Sequence, residues 1–132
     1  YNGVRFYPRV DGGLANYQSN NANLCDERAK QDIVDLGDQW SILKQYRVRK
    51  FRYKQDPSST PLKIGVIAQQ IETISPELVV EDWPYEGDPN NPTTLYKTVK
   101  EEQMFMVAMK TLQEAQARIE TLETEVAALK SS

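Results

Sequence analysis

The sequence predicts an α+β fold of short strands and short helices, followed by a long C-terminal helix that forms a parallel trimeric coiled coil. Three observations carry this expectation. Brief aromatic and β-branched runs alternate with turn-rich segments between residues 46 and 96. Short helix-compatible stretches interrupt them near Trp40 and Ala68. An unbroken three-and-four spacing of apolar residues then runs through residues 105–129.

Composition narrows the function classes. A chain of 132 residues with 39% apolar content suits one compact domain plus an oligomerising tail. The balance of 16 basic against 19 acidic residues, net -3, gives no electrostatic footprint for nucleic acid or an anionic membrane, and neither is expected as a partner. No run approaches the roughly 18 apolar residues that span a bilayer. The opening YNGVRFYP lacks the basic-then-apolar pattern of a signal peptide, so a soluble chain is expected. A single cysteine rules out an internal disulfide framework, and the lack of histidine removes the usual metal sites and histidine-based triads. No metal or cofactor is expected, and any chemistry must use other bases.

Residues 1–24 contain VRFYP, a Gly12-Gly13 pair and the polar NYQSNNANL, with few anchors for a core, and read as the end of a preceding segment. From Cys25 the chain becomes charged and helix-compatible. Asp38 is expected to cap a short helix that buries Trp40, Ile42 or Leu43. Residues 46–54 (YRVRKFRYK) read as a strand with a bulge between Val48 and Phe51, and residues 56–61 (DPSSTP) as a turn. A short strand at 62–66 and one or two helical turns at 68–74 follow. Pro76 pushes Ser75 away from helical angles and stops that helix. A strand at 78–81 and a turn-rich segment at 84–92 lead to Leu95 and Tyr96.

Thr98 and Glu101 have the spacing of a capping box, which places the start of the last helix near residue 99 and the coiled-coil helix at 98–130. Its seam is Phe105, Ala108, Leu112, Ala115, Ile119, Leu122, Val126 and Leu129. A lone amphipathic helix on its own domain would explain one or two such heptads, but the repeat continues further. With Leu112, Ile119 and Val126 at a, Arg118 and Glu125 fall at g, while Glu123 and Lys130 fall at e. Each g residue then faces an opposite charge at e on a parallel neighbour. Such exposed pairs contribute only tenths of a kcal/mol, roughly, and select register more than they hold chains together. A β-branched a with Leu at d leans toward two strands. Arg118-Ile119-x-x-Leu122-Glu123, however, resembles the Arg-h-x-x-h-Glu motif of parallel trimers, so three chains are expected.

Cys25, Asp26, Glu27, Arg28 and Lys30 place a nucleophile five residues before an amine. Alone, the string reads as a half-buried cysteine beside a solvated charge run. It resembles the S-D-x-R-x-K signature that opens the intramolecular chaperone domains of phage tailspikes and tail fibres, the peptidase S74 family typified by endosialidase tailspikes and shared with the myelin regulatory factor. FRYK (51–54) is similar to that family's F-x-Y-K strand, and GVIAQQIETISPELV (65–79) to its G-x-x-A-Q-E segment ending in P-E-L-V. Tyr96 before the final helix and Lys110 with Glu114 complete the resemblance, which covers about residues 24–114.

The resemblance implies a C-terminal chaperone that trimerises, aligns the chains of a phage tail fibre or tailspike for folding, and releases itself by autoproteolysis between Leu24 and Cys25. It implies a precursor made in the bacterial host cytoplasm and a chaperone part absent from the mature virion. Residues 1–24 would then be the end of the fibre stalk, residues 25–132 the chaperone, and the partners two further copies and the stalk itself. The implied catalytic pair is Cys25, standing where the family has serine, with Lys30 as base. An amine with a reference pKa of about 10.4 serves as base only when burial or a neighbouring cation depresses it. Asp26, Glu27 and Arg28 are expected to support the turn. The alternatives are a trimerisation module that does not cut, and a nucleic-acid surface built from Arg47, Arg49, Lys50, Arg52 and Lys54 interleaved with Tyr46, Phe51 and Tyr53. The acidic total weighs against the last.

Overall fold

A computed structural model describes residues 3–18, 20–84 and 95–132. The chain divides into two units, Tyr1–Asp35 and Leu36–Ser132. The expected turn-rich segment at 84–92 lies, except for Pro84, outside the described residues.

The first unit holds a β-hairpin. Strands β1 (Phe6–Pro8) and β2 (Leu14–Asn16) pair antiparallel with Tyr7 opposite Ala15. The Asp11-Gly12-Gly13 turn closes them, with Gly12 at φ +87° and the Asp11 carboxylate accepting the Gly13 N–H at 3.0 Å. Phe6, Tyr7 and Leu14 are all more than half exposed. A two-stranded ribbon of this kind is marginal by itself, since neither face is covered. Downstream, a single 3-10 turn forms at Glu27–Ala29.

The second unit is the expected α+β arrangement of antiparallel pairs, short helices and one long helix. Its first helix, α1 (Trp40–Leu43), is announced by Asp38, whose Oδ1 accepts the Trp40 N–H at 2.9 Å. Trp40 stays 37% exposed and Ile42 and Leu43 are half-buried, so this helix lies on the body and does not enter it. Strands β3 (Arg49–Phe51) and β4 (Lys63–Gly65) pair antiparallel with Lys50 opposite Ile64.

The strand expected at 46–54 keeps only three residues in regular pairing, without the bulge. Both ends have a physical cause. Gln70 takes backbone groups the ladder would need, accepting the Arg47 N–H at 3.2 Å and donating to the Gln45 carbonyl at 2.8 Å. At the far end Tyr53 N–H goes to the Asp56 carboxylate at 2.9 Å.

Helix α2 (Ala68–Glu72) ends where the Ser75-Pro76 step forces it to, and a 3-10 turn at Pro76–Leu78 carries the chain into β5 (Val79–Pro84). Strand β5 pairs antiparallel with β6 (Leu95–Val99), and here a register shift does occur, between Glu81 and Trp83. Lys97 of β6 holds Glu72 of α2 through both carboxylate oxygens, at 2.7 and 2.9 Å. That pairing, with Glu81 nearby, pushes the Lys97 amine above its ordinary value.

Helix α3 (Glu101–Lys130) starts two residues later than the capping-box spacing predicts. Thr98 belongs to β6, and its hydroxyl donates to Asp82 Oδ1 at 3.0 Å; no side chain caps the helix. Its first half crosses the body. The core among the described residues is small: Ile71 (0% exposed), Leu78 (3%) and Val107 (7%), with Ser75 and Thr111 buried beside them. Tyr46 and Ser75 share a hydroxyl hydrogen bond of 2.5 Å at its edge.

Candidate functional site

The residues expected to carry chemistry sit around the 3-10 turn of the first unit. Asp26 has extended backbone angles and accepts the Arg28 N–H at 2.8 Å, the geometry of an N-cap. The same carboxylate holds the Arg28 side chain, with Nε at 3.1 Å and Nη2 at 2.8 Å. The Arg28 side chain first, and its backbone N–H second, hold the Asp26 carboxyl below the usual carboxylate range. The turn is therefore protected against mild acid: a depressed pKa keeps this pairing present above the ordinary aspartate value and loses it only below.

The D-x-R spacing thus locks three residues between the two groups of interest. Cys25 stands just before the cap as a free, exposed thiol, and Leu24 is 79% exposed. Lys30 closes the turn, its N–H donating to the Glu27 carbonyl at 3.0 Å, and its side chain is exposed, as is that of Glu27. Asp32 follows with φ +54°. Among the described residues no cluster able to hold a metal ion occurs, and none of their helices is long and apolar enough to cross a membrane.

The residues expected to form an interface lie along α3. Phe105, Leu112, Ile119, Leu122, Val126 and Leu129 are between 47 and 74% exposed, which leaves an uncovered apolar stripe along this one helix. Arg118 and Glu123 are exposed on its two flanks. The Arg118 guanidinium, however, is already engaged: it stacks over the Trp40 ring of its own chain, 4.2 Å from the centroid.

Lys110 and Glu114, singled out by spacing alone, flank a junction that sequence reasoning did not assign. Glu114 Oε1 accepts the Gln39 N–H at 2.8 Å and so ties the start of α1 to α3. Its Oε2 is buried without a hydrogen-bond partner. Asp38 joins the cluster, and its carboxyl is held below the ordinary range first by the Trp40 N–H and more weakly by Arg118 and Lys110.

The basic strand is occupied structurally at several points. Arg52 donates to the Thr60 carbonyl at 2.5 Å, Tyr46 bonds Ser75, and Phe51 and Tyr53 meet edge to face at 5.3 Å. These contacts explain the spacing of FRYK without a ligand.

The fold and these sites define a small α+β domain that ends in a projecting helix with an uncovered apolar stripe. A capped turn beginning at Cys25 precedes it. The Peptidase S74 family, described as chaperone of endosialidase, matches residues 25–80. This match supports the chaperone domain that the resemblance implied for that part of the chain. The match opens at Cys25 and ends within β5, before β6 and α3. No curated protein matches the chain.

Proposed function

We propose that the chain is the C-terminal intramolecular chaperone of a phage tail fibre or tailspike, that it trimerises to align three chains for folding, and that it then cuts itself off between Leu24 and Cys25. The family match that begins at Cys25, the residue just ahead of the Asp26 cap, carries this reading. The uncovered stripe of α3 supports the association step. An intertwined fibre makes mostly interchain contacts, so chain alignment is an entropic cost that precedes any reward, and a clamp removes it. Cutting the clamp away afterwards leaves a fibre that is kinetically stable.

In the cut, Cys25 Sγ adds to the carbonyl carbon of Leu24 while Lys30 takes the thiol proton. The C–N bond breaks, the proton passes to the Cys25 nitrogen, and an amine and a thioester result. Water then hydrolyses the thioester to the Leu24 carboxylate and restores the thiol. Cys25 and Lys30 are exposed in the single chain. Burial supplied by neighbouring chains would favour the neutral amine and so couple cutting to assembly.

The test is intact mass and N-terminal sequence of a Cys25→Ser protein. The expected product begins at residue 25, and Lys30→Ala in the same background abolishes it. Should the serine form associate and stay full length, the protease reading is wrong for this chain. A trimerisation module that does not cut, the reading favoured by cysteine at the family's serine position, then replaces it.

A further inference from the structure

Helix α3 carries two stripes, and their relative placement says more than either alone. Val107 and Thr111 are buried against the body, while Glu114 and Arg118 meet Gln39 and Trp40. With Leu112, Ile119 and Val126 at a, these four residues occupy c and g positions. The body of the domain therefore covers the g flank of the seam. The opposite, e flank is bare: Met109, Gln116 and Glu123 are all exposed. Trp40 marks the end of the covered flank. It remains 37% exposed despite its stack on Arg118, and it lines one groove together with Ala115, Ile119 and Leu122, so the tryptophan and the seam share a continuous surface.

We infer that Trp40 and Arg118 form a docking surface for the bare e edge of α3 from a second copy of this chain, so that each domain packs across its neighbour's helix. The inference rests on the parallel association proposed above and adds a contact that a helix-only seam lacks. Chemistry along the flank identifies the occupant. In a parallel assembly each g residue faces the e residue five positions later on the next chain. Met104 then meets Met109, Arg118 meets Glu123, and Glu125 meets Lys130: apolar with apolar, and two opposite charges, while Thr111 stays under its own body. Stacking holds the Arg118 guanidinium in place before the neighbouring Glu123 arrives, which lowers the ordering cost of that pair.

The test uses the full chain with Trp83→Phe, which leaves Trp40 as its one tryptophan. Acrylamide quenching of its fluorescence is followed across a dilution series beside sedimentation velocity. The expected result is that the quenching constant falls by roughly half as the chains associate and the ring leaves solvent, and that Glu123→Arg moves both transitions together to at least about tenfold higher concentration. Association without any change in quenching overturns the inference and leaves the trimer reading standing. Equal shielding at concentrations where the chain is monomeric assigns the cover to its own chain and also overturns it. A chain that stays monomeric throughout defeats both.

Discussion

At the scale of single residues, the family-like blocks turn out to be contact pairs split between distant segments. An ideal Cβ on Gly65 would lie 3.0 Å from Phe51 Cε1, so the glycine exists to let the Phe51 ring lie across β4. Gly65→Ala is expected to cost about 1–3 kcal/mol by denaturant titration, the usual price of overpacking. Because the clash has one partner, adding Phe51→Leu should recover most of the loss; two additive losses would show that the ring is not the obstacle. Gln70 works in the same way, clipping Gln45 and Arg47 from 23 to 25 residues away. Sequence revealed that residues 51–54 and 65–79 form specific blocks, but not what they do for each other, since periodicity carries no information about contacts between elements. Asp26 and Arg28 were more legible, because a cap acts over two residues and its spacing is written in the chain.

Among elements, legibility followed how local each cause was. Helix α3 beyond its start, the short helix ended by Pro76, and the strand after it all come from neighbouring residues, and all formed close to where they were expected. Two departures have different causes. The β1–β2 hairpin was missed because its strands lack alternation; the Asp11-Gly12-Gly13 turn between Phe-Tyr and Leu-Ala was the available signal. The helix start was misplaced because Thr98 could serve either a cap or the sheet, and Asp82 across the β5–β6 pair took its hydroxyl. Thr98→Val therefore is expected to leave the helical circular-dichroism signal unchanged while weakening the β5–β6 pair by about 0.5–1.5 kcal/mol. A drop in helix content with an intact hairpin would restore the capping-box assignment.

For the molecule as a whole, the distribution of apolar surface decides how the domain is stabilised. Ile71, Leu78 and Val107 contribute about 1.5–3 kcal/mol each on burial, a small return against the ordering of Leu36–Ser132. The uncovered seam of α3 offers six large side chains that gain the same kind of stabilisation only when chains meet. Folding and association should then be one event, and the melting temperature should rise with protein concentration, as mass action requires when the oligomer is the stable species. Ile119→Ala removes about 2–5 kcal/mol per chain from such a seam, whereas in a lone chain this half-exposed side chain would contribute little. The expected outcome is a large fall in melting temperature for Ile119→Ala, with the concentration dependence shifted to higher protein. A melting temperature that ignores both concentration and Ile119→Ala would mean that the second unit stands without help from the seam. The clamp, and with it the alignment of chains, would then have no energetic basis in α3.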